Sequence, residues 1–231
     1  MEFGFWLDRL EIKGLGEFEN HTQGLGLVRD VMGLEGQMAA NYYGHFLLTA
    51  LVLDLMPDTS DSRVVSLSSL AHTQGLKRIR FEDINWDQGY DRRLAYSQTK
   101  LACLLFALEL DRRLRRAGRE VLSVAAHPGV SDTELARSLP APLVNVARWT
   151  IGRILTQSAE RGALPTLQAA LGSDVDGGDY FGPQDQWEMK GDPGPAKIAP
   201  WAKEEAAAAK LWDLSEFATG ADFPFGISRP R

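Results

Sequence analysis

The sequence predicts an α/β protein, a parallel sheet covered by helices on both faces. Three observations lead there. Arg63-Val64-Val65-Ser66-Leu67-Ser68 and Val121-Leu122-Ser123-Val124-Ala125-Ala126 are short apolar runs with the length and residue types of buried strands. A helical segment of about 25 residues, Arg92 to Ala117, lies between them, and a right-handed crossover of that kind makes the two strands parallel neighbours. Gly178-Asp179-Tyr180-Phe181-Gly182-Pro183 then offers a third short strand ending in a turn.

The elements follow in order. Residues 1–32 are glycine-rich, with scattered charge and no sustained period of 2 or 3.6. Leu34 to Met56 has apolar residues recurring on one side of a long helix, broken by Pro57-Asp58-Thr59-Ser60-Asp61. The first strand leads into a polar stretch, Gln74 to Asp91, rich in Gly, Asn and Asp. Gly118 has the position of a C-terminal cap for the second helix. The second strand is stopped by His127-Pro128-Gly129, and Thr133 to Leu171 reads as a loop and helical segments. A last helix runs from Pro200 to Thr219, with proline in its first turn and Gly220 after its end.

Composition narrows the function classes. The 231 residues include 25 Lys and Arg against 31 Asp and Glu, a formal net charge of −6. That balance argues against nucleic acid, which calls for a basic face, and against a polybasic membrane binder. Cys103 is the one cysteine, so an internal disulfide and a cysteine-built metal site are excluded, and no metal site is expected. No uncharged apolar run approaches the ~18 residues of a membrane span, and the opening residues lack a basic signal region. A cytoplasmic location is expected. His45, beside Phe46, reads as a packing residue, and Met32, Met38 and Met56 as core filler. Cys103 reads as buried and inert.

Chemistry is concentrated in a few places. Tyr96-Ser97-Gln98-Thr99-Lys100 puts a phenol and an ammonium four apart, on one helix face. A cation one turn from a phenol favours the phenolate, so such a tyrosine can exchange a proton with an alcohol or carbonyl. Ser68 and Ser69 close the first strand at the sheet edge where open α/β proteins bind ligands. A hydroxyl there can hold a substrate oxygen towards the tyrosine. Asn41 lies mid-helix, where a buried amide must find partners, and Gly44 nearby permits close backbone approach.

Taken together, these segments resemble the short-chain dehydrogenases/reductases, nearest to the retinol-dehydrogenase-like and WW-domain-oxidoreductase-like branch. The resemblance runs from about Gly33 to Phe225 and rests on QMAANYYGHFLLT (37–49), RVVSLSSLAH (63–72), AYSQTKLA (95–102) and HPGVSDTEL (127–135). It is extended by YFGP (180–183) and LWDLSEFATG (211–220). The resemblance implies a Rossmann-like sheet and reversible hydride transfer between NAD or NADP and a hydrophobic alcohol or carbonyl. It makes Tyr96 the acid/base, Lys100 its electrostatic partner and a ribose-hydroxyl ligand, Ser69 the substrate-oxygen donor, and Asn41 the holder of a relay water. Pro128, Gly129, Val130 and Thr133 would line the nicotinamide end. Trp149 and Leu155 lie where the family builds its substrate lid.

The family's phosphate-binding glycine turn is not found. Gly14-Leu15-Gly16 and Gly24-Leu25-Gly26 are the candidate pairs, and neither follows a strand or has a glycine four positions earlier. A βαβ unit takes roughly 30 residues, so residues 1–32 cannot hold the missing series. The chain therefore reads as an atypical segment, 1–32, followed at 33–231 by the C-terminal part of an N-terminally truncated domain. The alternative expectation is a non-catalytic remnant that acts as an interaction module or is completed in trans. Apolar residues on more than one side of helices 34–56 and 92–117, namely Phe46, Leu47, Leu51, Leu104, Leu105 and Leu108, further suggest a homodimer.

Overall fold

The computed structural model describes residues 27, 29–30, 32–130 and 157–225. Among these residues four strands form one sheet in the order β1–β2–β3–β4: β1 (Arg63–Leu67), β2 (Leu122–Ala126), β3 (Tyr180–Asp185) and β4 (Lys190–Pro195). β1 and β2 are parallel neighbours, from Arg63↔Leu122 to Leu67↔Ala126. β3 lies parallel to β2, with Ala125 opposite Tyr180 and Ala126 opposite Phe181.

β4 folds back antiparallel on β3, so the sheet is mixed where only parallel strands were expected. Lys190-Gly191-Asp192-Pro193-Gly194-Pro195 has no strand propensity of its own. Among the described residues it is an edge strand, where one side of the backbone needs no ladder bond and prolines are therefore tolerated.

The first helix, α1, starts as Gly36–Met38, widens to a π-helix at Ala39–Tyr43 and continues as an α-helix through Gly44–Val52. It begins two residues later than expected because Glu35 is the cap. Its carboxylate accepts the Gln37 and Met38 N–H groups at 3.0 and 2.7 Å, satisfying donors that have no partner within the helix. Helix α2 (Arg92–Arg116) is capped by Asp91, which accepts from Arg93 and Leu94. At its far end Gly118 N–H bonds to Arg115 O and Arg119 N–H to Leu114 O, with Gly118 at φ +69°. This is a Schellman turn, and it is why a glycine stands there. Among the described residues two further helices follow, α3 (Ala159–Leu171) and α4 (Glu205–Thr219), α4 ending on left-handed Gly220.

The sheet is covered on both sides. On one face Val64, Ala125 and Tyr180 pack in the larger core with α1, α2 and α4. On the other, Val65, Val124, Ala126 and Phe181 surround Ala169 of α3. Ser123, fully buried, lets α2 lie close on β2 and donates its hydroxyl to Ala107 O at 2.9 Å.

Part of the apolar surplus on α1 and α2 is used inside the chain. Phe46, Leu104 and Leu105 are buried, and Phe46 and Phe106 pack against Trp212 of α4 with ring centroids 4.9 and 5.7 Å apart. Phe223 closes the cluster 4.4 Å from Trp212. Leu47 and Leu108 are half-buried, and Leu51 is 60% exposed. Met38 is core, as expected, but Met32 is exposed, and so is His45, which does not pack into the core. Gly14, Gly16, Gly24, Gly26, Thr133, Trp149 and Leu155 lie outside the described residues.

Candidate active site

The carboxyl end of the sheet collects the chemistry. β1 runs out into Ser68 and Ser69, both buried, and Ser69 caps the 3₁₀ turn Leu70–Thr73 by accepting the Ala71 N–H at 3.2 Å. That contact occupies a lone pair and leaves the Ser69 O–H to donate elsewhere. His72 Nδ1 lies 2.7 Å from Ser69 O, and against a carbonyl that nitrogen must be the donor. The serine is thus held from its main chain while its hydroxyl keeps its donor.

Helix α2 is joined to the end of β1 by two hydrogen bonds running in opposite directions. Ser68 Oγ donates to Lys100 O at 2.8 Å, and Lys100 Nζ donates to Leu67 O at 3.2 Å. The ammonium sits 5.7 Å from the centroid of the Tyr96 ring on the same helix face. Tyr96 is half-buried, and Lys100 retains two further N–H bonds beyond the one to Leu67.

Asn41 reaches the same place from the π-helical stretch of α1. Its Nδ2 is 3.4 Å from Thr99 Oγ1, and Thr99 in turn donates to Tyr96 O at 2.9 Å. Cys103 Sγ donates to Asn41 O at 3.1 Å. Burial pushes this thiol up, with the Lys100 charge opposing, so it stays protonated and structural. The widened turn explains how a mid-helix amide is brought to a neighbouring helix; Gly44 bonds back to Ala39 O, and a side chain there would crowd that oxygen at 3.3 Å.

After β2 the chain turns through Pro128, Gly129 and Val130. Gly129 has φ +71°, and a Cβ on it would lie 2.3 Å from Met189 O, so only glycine fits. Val130 N–H donates to Met189 O at 2.8 Å, and Gln157 Nε2 donates to Pro128 O at 2.7 Å. The sequence therefore named residues from β1, α1, α2 and the turn after β2 that lie at one end of the sheet, while Thr133 lies outside the described residues.

Comparison with known proteins bears on the family. No family model matches the chain. Mouse retinol dehydrogenase 14 is 37% identical over 195 residues, 81% of this chain and 53% of that protein. Human retinol dehydrogenase 13 is 38% identical over 204 residues, 86% of this chain and 58% of that one. A crystal structure of an uncharacterized protein from Mycobacterium paratuberculosis superposes with a TM-score of 0.67 at 38% identity, covering 87% of this chain and 64% of that chain. The chain belongs to the short-chain dehydrogenase/reductase family. It spans little more than half the length of the curated relatives it matches.

Several contacts at this end of the sheet could not be read from the sequence. Ser68 and His72 were visible as strand-end polar residues, but their contacts to Lys100 and Ser69 are long-range or depend on a 3₁₀ turn. Gln157 and Glu188 carried no local signal. Among the described residues, no helix is long and apolar enough to cross a membrane.

Proposed function

We propose that this chain carries the proton-handling and nicotinamide end of an NAD- or NADP-dependent oxidoreductase acting on a hydrophobic alcohol or carbonyl. The observation that carries the reading is Lys100, on the Tyr96 face of α2 and donating to the end of β1 beside Ser69. The names of the relatives, retinol dehydrogenases, support a hydrophobic substrate.

The residues present suit the nicotinamide end of such a cofactor. Lys100 has N–H donors left for ribose hydroxyls, and the Pro128–Val130 turn follows β2 at the same end of the sheet. Pro128, Gly129 and Val130 would hold the nicotinamide side, with Tyr96 and Lys100 on the ribose. When bound, the cofactor supplies or accepts the hydride. In carbonyl reduction Ser69 donates a hydrogen bond to the substrate oxygen and Tyr96 delivers its phenolic proton to the same oxygen. Lys100 stabilises the phenolate that results, and Asn41 holds the water through which the phenol is reprotonated. Alcohol oxidation runs the same transfers backwards.

The test is reduction of retinal and simpler aliphatic aldehydes with NADH or NADPH, comparing the chain with Tyr96→Phe. Loss of a positioned acid/base lowers turnover by about 10²–10⁴-fold. Measurable turnover that is equal in both proteins would overturn the reading.

One observation favours a second reading, completion by another chain. Among the described residues β1 is paired on one side only, and Leu67 at its end is 43% exposed. An open parallel edge is a template for a further strand.

A further inference from the structure

His127 follows β2 and is fully buried, its main-chain N–H bonded to Phe181 O at 2.9 Å. Its ring lies over β3 at Gly182, where a Cβ would come within 2.0 Å of Nε2. On one side of the ring Nδ1 accepts the Gly129 N–H at 3.2 Å. A neutral imidazole that accepts at Nδ1 carries its proton on Nε2. That Nε2 stands 3.3 Å from Glu188 Oε2, off the line of a good hydrogen bond, so charge more than direction sets the contact.

Glu188 is placed there at a conformational cost. Gln186, Trp187 and Glu188, in the turn between β3 and β4, have φ of +48°, +58° and +66°. Three successive non-glycine residues in the left-handed region cost about 1–2 kcal/mol each. Trp187 at the tip is 86% exposed, so the turn is not formed to bury it. What the turn does achieve is contact with the segment after β2. Glu188 Oε2 faces His127, Glu188 Oε1 accepts the Lys197 N–H at 3.0 Å, and Met189 O accepts the Val130 N–H. Burial raises the Glu188 carboxyl, but His127 and the Lys197 N–H outweigh it, and the net shift is downward, towards the carboxylate.

We infer that Glu188 is a positioning residue for the Pro128–Val130 turn: facing His127 Nε2, its carboxylate selects the ring tautomer whose Nδ1 can hold the Gly129 N–H. The inference rests on the proposed function only for the identity of what this turn would hold, a nicotinamide ring; the coupling of Glu188 to Gly129 stands on its own geometry.

Long-range proton–nitrogen spectra of the imidazole rings at pH 8 test it, with His127 assigned by the signals lost in His127→Asn. The wild-type chain shows His127 as a single Nε2–H tautomer. Glu188→Gln, which keeps an oxygen facing Nε2 but loses the charge, leaves the Nε2–H tautomer as the major form. Glu188→Leu converts the ring to a tautomer mixture and speeds hydrogen exchange of the Gly129 amide at least tenfold, while the amides of β1 and β2 keep their protection. An Nδ1–H tautomer in the wild-type chain overturns the inference without any variant. So does unchanged Gly129 exchange in a folded Glu188→Leu. If the tautomer and exchange respond as expected and NADH or NADPH titration still leaves the wild-type His127 and Gly129 signals unmoved, the inference about Glu188 holds and the cofactor reading of the turn falls.

Discussion

Ser68 Oγ donates to the main-chain carbonyl of Lys100 at 2.8 Å, tying the end of β1 to α2. The Lys100 side chain reaches in the opposite direction to Leu67 O. Two adjacent residues at the end of β1 thus hold both ends of one lysine, and the ammonium is fixed relative to Ser69. Ser68 would serve this chemistry without touching substrate.

Ser68→Ala removes one buried hydrogen bond, worth about 1 kcal/mol. Urea titration should show that loss and a melting point lower by about 2–4 °C for a chain of this size. Turnover should fall too, because Lys100 loses one of its two ties. A stability equal to that of the parent chain would mean that the bond does not form.

Leu104, fully buried in the larger core, should cost about 2–5 kcal/mol when cut to alanine. Leu51→Ala, at 60% exposure, should change stability by about 0.5 kcal/mol or less. The comparison is made by the same urea titration, and near-equal effects would contradict the burial described for α1 and α2.

Stability should fall with acid in two stages. Burial holds His72 below its ordinary value of 6.5, against the opposing bond to Ser69 O. The unfolded chain therefore binds that proton first, and stability complete above pH 6.5 is lost as pH falls through the depressed folded value. Glu188, whose net shift is below 4.5, adds stability that is present above that pH and lost as pH falls through its folded value. His72→Gln should weaken the first stage and leave the second in place. Unfolding free energies measured between pH 8 and pH 3 that stay flat would refute both.

Residues 1–231 should bind NADH and NADPH weakly. Positioning can supply about 7–11 kcal/mol of a barrier, and in a dinucleotide enzyme much of it comes from pyrophosphate held on a glycine-rich helix start. Among the described residues no strand runs into such a turn. Fluorescence titration decides it, and low-micromolar binding would reveal a phosphate site in residues 1–32 or in a second copy.

Self-association through α1 and α2 now rests on fewer residues. Leu47, Leu51 and Leu108 retain exposure, whereas Phe46, Leu104 and Leu105 are covered within the chain. Sedimentation at micromolar concentration should show a dimer that Leu51→Lys dissociates, and a clean monomer would end the proposal.

The sequence by itself determined what is local. Apolar runs of fixed length, the Tyr96–Lys100 spacing, the Asp91 cap and the glycines at 118 and 220 state their elements through backbone preference and helical period. Those are properties of neighbours along the chain, and they located α2, β1 and β2 to within a residue or two. Tertiary structure decided what depends on distant partners. β4 is a strand only because β3 lies beside it, and the π-helical widening brings Asn41 to Thr99 across 58 positions. The apolar surplus of α1 and α2 found part of its cover in Trp212 and Phe223, more than 100 residues later in the chain. Glu188 reads in sequence as one more polar residue in a turn; it acquires a role only where the fold sets its carboxylate against His127. Charge and burial act through space, and that is the part of this protein its order of residues does not spell out.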